Sequence, residues 1–340
     1  MTRGFLSDNA SGVHPRVLAA LSAANEGHTS AYGDDPWTAE LGERVRDLFG
    51  DDATVFPVFN GTGANVVALQ SLIRRWEAVV TTTVSHVAND ESTAPEMVGG
   101  MRLTTVPHTE GKLTPEALAG PFDADDGTVH HARPAAVSLA QVTETGTVYR
   151  PEELAAVIAA ARGRGARVHL DGARLANAAV ALGTDLAGSA GGADVVSFGG
   201  TKNGLLLGEA VITRGPDLAE PVDRLRKAST QLASKMRFLS AQLLALLSDD
   251  LWRENAARAN DAARVLAERL AALGVTPRYP VEANLVFIPV RPERRAEVVA
   301  AAPVLPWDTS TVRAVASFDT SEEDVDALVT ALVPYLELGA

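Results

Sequence analysis

Two stretches decide the fold: Ala166-Arg167-Val168-His169-Leu170-Asp171-Gly172-Ala173-Arg174 and, further along, Ala193-Asp194-Val195-Val196-Ser197-Phe198-Gly199-Gly200-Thr201-Lys202-Asn203-Gly204. Each is a short apolar run that ends in small and polar residues, the pattern of a buried strand whose tip opens into a loop. The pattern repeats outward. Thr54–Phe59, Ala78–Thr82, Ala135–Leu139, Ala166–Leu170, Ala193–Phe198 and Glu209–Thr213 are predicted strands, alternating with helical patterns such as Ala64–Trp76 and Pro151–Arg162. The second helix opens with Pro and two Glu residues, which suit the first turn and its dipole. Such alternation implies βαβ units. The predicted fold class is α/β, a large domain on a mostly parallel sheet covered on both faces.

From about Asp249 the texture changes. Leu251–Leu273 reads as a long helix ended by Gly274, followed by strands at Asn284–Val290 and Val312–Ser317 and helices near Arg291–Ala301 and Ser321–Leu336. The expected division is a large domain with an N-terminal arm over 1–248 and a small α+β C-terminal domain over 249–340. No internal repeat or long linker interrupts it.

Of the 340 residues 46% are hydrophobic and 21% charged, the balance of a folded globular protein large enough for a cleft between domains. The net charge of −13 argues against nucleic-acid and membrane-surface partners, because both need a basic face. No run has the length of a membrane span, and Met1–Phe5 lacks the apolar core of a leader peptide, so the expected location is the cytoplasm. With no cysteine there is no disulfide framework, thiol nucleophile or thiolate metal site, and no metal is expected.

Lysine is scarce: Lys112, Lys202, Lys227 and Lys235 stand against 26 arginines. Surface charge is carried by arginine, so Lys202, set among glycines after an apolar strand, asks for a reason specific to an amine. Arginine cannot form an imine. Read alone, Lys202 is equally a solvated turn lysine. Asp171, however, ends a neighbouring apolar strand, where open α/β sheets place ligand-binding groups. A carboxylate there would keep the pyridine nitrogen of pyridoxal 5'-phosphate (PLP) protonated, although Asp171 could as well cap the following helix. Asn60-Gly61-Thr62-Gly63-Ala64-Asn65 follows a strand and opens a helix, a plausible phosphate cradle and also an ordinary strand-to-helix turn. Neither a dinucleotide nor a nucleotide-triphosphate glycine pattern is present.

Tyr32-Gly33-Asp34-Asp35-Pro36, Asn60-Gly61-Thr62, Asp171-Gly172-Ala173-Arg174 and Thr201-Lys202, in that order and with Ser7-Asp8-Asn9 ahead of them, resemble the L-threonine aldolases of the bacterial low-specificity group. The resemblance covers nearly the whole chain. It implies a PLP-dependent transferase-like fold, that of aspartate aminotransferase, and reversible retro-aldol cleavage of L-threonine, L-allo-threonine and related β-hydroxy-α-amino acids to glycine and an aldehyde. It implies Lys202 as the Schiff-base lysine, and His86 over the cofactor ring. His130 is implied as the second histidine, facing the substrate hydroxyl; which histidine is the base stays open. Gly61, Thr62, Asp171, Arg174, Thr201 and Arg237 are implied as further cofactor contacts. Ser7, Tyr32, Arg174 and Arg313 are implied near the substrate, with a homodimer or homotetramer whose sites lie at the dimer interface.

Locally, Asp35 can cap a helix that starts at Pro36 and buries Leu41, Val45, Leu48 and Phe49, which explains much of the Tyr32–Pro36 segment without catalysis. The chain departs from the family pattern at Gln141-Val142-Thr143-Glu144-Thr145-Gly146, where many relatives have Glu-Asn-Thr-His. The alternatives are another PLP enzyme of the same fold (a β-eliminating lyase or an aminotransferase), a PLP-binding protein without catalysis, and a nicotinamide dehydrogenase that the missing glycine pattern disfavours.

Overall fold

The computed structural model describes residues 4–336; residues 1–3, which carry part of the leader-peptide expectation, and 337–340 lie outside the described residues. Its centre is a seven-stranded sheet of β1 (Ala53–Val58), β2 (Glu77–Thr82), β3 (Arg102–Val106), β4 (Arg133–Ala140), β5 (Arg167–Gly172), β6 (Val195–Gly199) and β7 (Glu209–Arg214). The order is β1-β7-β6-β5-β4-β2-β3. Strands β3, β2, β4, β5 and β6 run parallel, and β7 is antiparallel to both β6 and β1. All six predicted strands are present. The one missed, β3, lies at the sheet edge with only Val106 buried, so it lacks the continuous apolar run that marks a central strand.

The helix Gly61–Leu72 starts three residues before the predicted Ala64 because Asn60 caps it, its side chain accepting the Gly63 N–H at 2.8 Å. Gly63 through Leu69 are all buried, as the helix packs between the sheet and the helix Ala219–Ala228. A helix enclosed in this way points its N-terminus at the sheet's carboxyl edge. Pro36–Phe49 forms as predicted, with the Asp35 side chain accepting the Thr38 N–H at 2.9 Å and with Leu41, Val45 and Phe49 buried.

A second sheet holds β8 (Leu285–Pro289), β9 (Leu305–Pro306) and β10 (Thr311–Val315) in the order β8-β10-β9. The helix Leu251–Ala272 serves both halves. Leu251, Trp252 and Ala256 belong to the core of the large sheet, whereas Ala263, Leu266 and Leu270 pack with Val286, Ile288 and Val312 beneath the small one. Near the N-terminus, Phe5 is buried in that second core and its backbone pairs with Pro303 and Val315. This anchors the chain so that Asp8 and Asn9 reach the crevice between the sheets.

Strands β4, β5 and β6 end level with one another, with Ala140 opposite Asp171 and Asp171 opposite Ser197. Two residues before that edge, buried His169 ties the three strands together: its ring nitrogens hydrogen-bond Ser138 Oγ and Ser197 Oγ, each at 2.9 Å. Burial pushes its pKa down to about 4 from 6.5, so the ring is neutral at physiological pH. Because the folded value lies below the unfolded one, this stabilisation is complete above about pH 6.5 and is lost as pH falls to about 4. The loss amounts to about 3 kcal/mol at ~1.4 kcal/mol per unit. Urea unfolding across this window should show stability falling with acidification, with a shallower slope, by about one proton, in His169→Gln; an unchanged slope would contradict the assignment.

Candidate active site

The carboxyl ends of β4, β5 and β6, the N-terminus of helix Gly61–Leu72 and the small sheet enclose a cavity of about 410 Å³. That volume suits a cofactor with a small substrate. Asn60, Gly61, Thr62, Asn65, His86, Glu91, Glu144, Asp171, Arg174, Thr201, Lys202, Glu209 and Arg313 all line it, with Val142, Leu285 and Trp307 on an apolar side.

Lys202 sits in a tight turn, Thr201–Asn203, directly after β6. Glycine is required around it. A Cβ at Gly199 would meet the Ala173 carbonyl oxygen at 2.2 Å, and one at Gly200 would meet Leu205 at 2.4 Å and the Gly208 carbonyl at 2.7 Å. The buried Glu209 accepts the Gly200 N–H at 2.6 Å, and Thr201 Oγ1 accepts the Gly208 N–H at 3.1 Å, which fixes the turn. Burial and the neighbouring Arg174 charge lower the pKa of the Lys202 amine, against the pull of Asp8, Asp171 and Glu209. A lowered amine pKa favours the neutral, nucleophilic form.

Asp171 is buried at the end of β5. Its Oδ1 accepts the Ala173 N–H at 3.0 Å and its Oδ2 accepts Asn65 Nδ2 at 3.0 Å. Burial would raise its pKa, but the charges of His86 and Lys202 and the Ala173 N–H together hold it below the usual carboxylate value. The capping alternative is partly true, since Asp171 does accept a backbone N–H two residues on. The Asn65 amide also donates to Glu91 Oε1 at 2.7 Å, and that oxygen meets His86 Nδ1 at 2.9 Å. His86, Glu91, Asn65 and Asp171 thus form one connected polar chain. The hydrogen bond to Glu91, working against burial, raises the pKa of His86.

Arg174 is held by Asp8 in a two-pronged pair, with Nε to Oδ2 at 2.7 Å and a terminal nitrogen to Oδ1 at 2.9 Å. Asn284 Nδ2 adds a third bond to Asp8 Oδ2 at 3.0 Å. Burial opposes ionisation of Asp8, but Arg174 and Lys202 overcome it and lower its pKa. Arg313, on β10, is the open cation: its buried Nε has no hydrogen-bond partner among the described residues, and burial together with Arg174 lowers its pKa.

The structure therefore brings together Gly61, Thr62, His86, Asp171, Arg174, Thr201, Lys202 and Arg313. Four expected residues are not in this cavity. His130 is exposed in the loop before β4, its N–H donating to Thr128 Oγ1, at the opposite end of β4 from Ala140. The eight residues of β4 put it roughly 25 Å from the site of its own subunit. The expectation that it faces the substrate there is corrected. Tyr32 is 53% exposed, stacked under Lys227 rather than facing the cavity, and Arg237 donates to the Gly27 carbonyl oxygen at 3.2 Å. Ser7 caps the turn Asp8–Ala10 through Asn9 N–H, so its neighbours rather than its own hydroxyl reach the crevice.

Asp8, Asn65, Glu91, Glu144 and Glu209 were not singled out from sequence. Asn65 did carry a signal, as the one polar side chain in the run Ala64-Asn65-Val66-Val67-Ala68.

A buried amine of lowered pKa, an ionised buried carboxylate, and a capped helix N-terminus beside a hydroxyl are the donor set that PLP needs for its aldehyde, ring nitrogen and phosphate. Fold and site together define a PLP-dependent enzyme of the aminotransferase-like fold. The beta-eliminating lyase family model matches residues 4–292, and the chain belongs to that family. It is 45% identical over 292 residues to the low-specificity L-threonine aldolase of Pseudomonas aeruginosa, covering 84% of each chain. The threonine aldolase of Leishmania major superposes with a TM-score of 0.90 at 29% identity, over 97% of this chain and 98% of that one. A Thermus thermophilus aspartate aminotransferase variant, at TM-score 0.70 and 17% identity over 98% and 97% of the two chains, shares the fold. The protein is a lyase whose cofactor is pyridoxal phosphate.

Because Asp8 is only 1% exposed and its pair with Arg174 is two-pronged, removing one partner leaves a charge stranded. Asp8→Ala should cost about 3 kcal/mol in urea unfolding, and adding Arg174→Ala should return part of that loss. A loss below about 1 kcal/mol would show that the pair is solvated.

Proposed function

We propose that the protein cleaves L-threonine, L-allo-threonine and related β-hydroxy-α-amino acids reversibly to glycine and an aldehyde. The observation that carries this reading is the connected chain His86–Glu91–Asn65–Asp171 in one cavity with Lys202 and the open Arg313. The similarity to named threonine aldolases supports it.

Each residue then has a task. Lys202 would hold the cofactor through its aldehyde. Asp171 would keep the ring nitrogen protonated, and Gly61, Thr62 and Thr201 would hold the phosphate at the N-terminus of helix Gly61–Leu72. When bound, PLP accepts the electron pair released as the Cα–Cβ bond breaks. Arg313 takes the substrate carboxylate, with Arg174, oriented by Asp8, beside it; a planar guanidinium fork suits that anion better than an ammonium would. His86 would lie against the ring and, with its raised pKa, would present a donor to the substrate hydroxyl. Holding amine, carboxylate and hydroxyl in one geometry supplies several kcal/mol of the barrier reduction. Exposed Tyr32 and half-buried Arg237, both away from their own cavity, are read as belonging to the site of a neighbouring subunit, which makes a dimer the smallest active unit.

The purified enzyme should release glycine and acetaldehyde from L-threonine. His86→Asn should lower that turnover by at least about tenfold while leaving the cofactor absorbance in place. Unchanged turnover would remove His86 from the mechanism, and absence of glycine from the wild-type reaction would contradict the reaction itself.

A further inference from the structure

The reaction needs a group to accept the substrate's β-hydroxyl proton. His130 lies at the far end of β4 from the cavity of its own subunit, and His86, bonded through Nδ1 to the buried Glu91, is read above as the donor to that hydroxyl. We propose that Glu144 is that acceptor. The inference rests on the aldol-cleaving reading above and names a residue that reading leaves unassigned.

Glu144 lines the main cavity and also a small pocket with Thr81, Ser85, His86 and Asp171. Its Oε1 accepts the His86 backbone N–H at 2.8 Å, whereas its buried Oε2 has no hydrogen-bond partner among the described residues. Asp90 also lines the cavity, and Glu91 keeps an unpartnered Oε2 of its own, but four other carboxylates there already hold the site together. Both oxygens of Asp171 are engaged, Glu91 holds the His86 ring and Asn65, and Glu209 holds the Lys202 turn. Asp8 is occupied by Arg174 and Asn284.

The turn that carries Glu144 is rigid. Thr143 Oγ1 meets Thr147 Oγ1 at 2.7 Å, and Thr145 and Thr147 both donate to the Glu110 carbonyl oxygen, at 2.7 and 2.6 Å. The backbone closes with Thr143 N–H to the Thr147 carbonyl at 2.9 Å and Gly146 N–H to the Thr143 carbonyl at 3.0 Å. A side chain mounted on such a turn is pre-positioned, as proton transfer requires.

The surroundings tune it. Burial raises the Glu144 pKa to about 7, and the Asp171 charge adds to the rise; the His86 N–H and charge oppose it. Among the described residues Tyr149, a phenol that burial keeps neutral, also lies near it. An acceptor poised near neutrality is the most effective kind at physiological pH.

The step balances. The hydroxyl O–H bond breaks as a bond from Glu144 Oε2 to the proton forms, and the freed pair becomes the second C–O bond of the aldehyde. The Cα–Cβ pair stays with the glycine fragment, which takes up one proton as Glu144 later releases one.

The plain structural alternative is that Glu144 only caps the helix His86–Asn89, where the Ser85 side chain makes no capping bond. Glu144→Gln separates the two, since glutamine still accepts the His86 N–H but cannot take a proton. In the holoenzyme we expect kcat for L-threonine cleavage to fall about a hundredfold with KM changed by less than about threefold, and the acid limb near pH 7 to vanish. The PLP absorbance should persist. Infrared difference spectra between about pH 6 and pH 8 should lose one titrating carboxyl in the variant, with Glu209 accounting for one that remains. Wild-type kcat in the variant, an acid limb that survives the substitution, or an unchanged infrared difference would each overturn the proposal. So would a wild-type kcat flat across that pH range, a measurement that needs no variant. The wild-type enzyme run alongside keeps the two readings distinguishable, because glycine release from it upholds the reaction whatever Glu144 does.

Discussion

A carboxylate kept ionised inside a protein interior is costly, since burial alone pushes its pKa up and favours the neutral acid. Asp171 is such a group, and much of the molecule is arranged around keeping its charge. It sits at the carboxyl edge of the sheet, where Ala173 supplies an N–H, Asn65 supplies an amide donor and His86 supplies positive charge. Asn65 can do so only because the helix Gly61–Leu72 lies against the sheet, pointing one polar side chain inward from an otherwise apolar face. The same amide reaches Glu91, which in turn holds His86. Cofactor polarity, imidazole orientation and the phosphate cradle are therefore fixed by the placement of one helix.

The other half of the cavity depends on a different constraint, that two arginines must sit together without repelling one another from the site. Asp8 resolves it. Delivered by an N-terminal segment that Phe5 anchors in the second core, Asp8 neutralises Arg174 and leaves Arg313 open. The helix Leu251–Ala272, packed into both cores, sets the distance across the crevice. The substrate pocket is thus a product of chain ends and core packing far from any catalytic group.

Much of this was legible in sequence, and the reason is physical. Buried parallel strands must be continuously apolar, so their tips stand out, and Asp171, Lys202 and Gly61-Thr62 all lie at tips. The edge strand Arg102–Val106 lacked that signal because little of it is buried. Residues that act through tertiary contact were invisible: Asp8 meets Arg174 across 166 positions, and Asn65 meets Asp171 across 106. His130, singled out by resemblance, lies away from the cavity of its own subunit. It precedes β4, and in a parallel sheet the functional edge is the one where strands finish. The departure from the family pattern at Gln141–Gly146 holds Glu144, whose carboxyl lies in the cavity wall.

Everything at this site converges on Lys202 as the residue that bears the cofactor, and the scarcity of lysine makes a direct measurement decisive. The purified protein should show the absorbance of a pyridoxal imine, lose it on borohydride reduction, and yield on peptide mapping a pyridoxyl label on Lys202. A label on Lys112, Lys227 or Lys235, or no label at all, would contradict the central assignment.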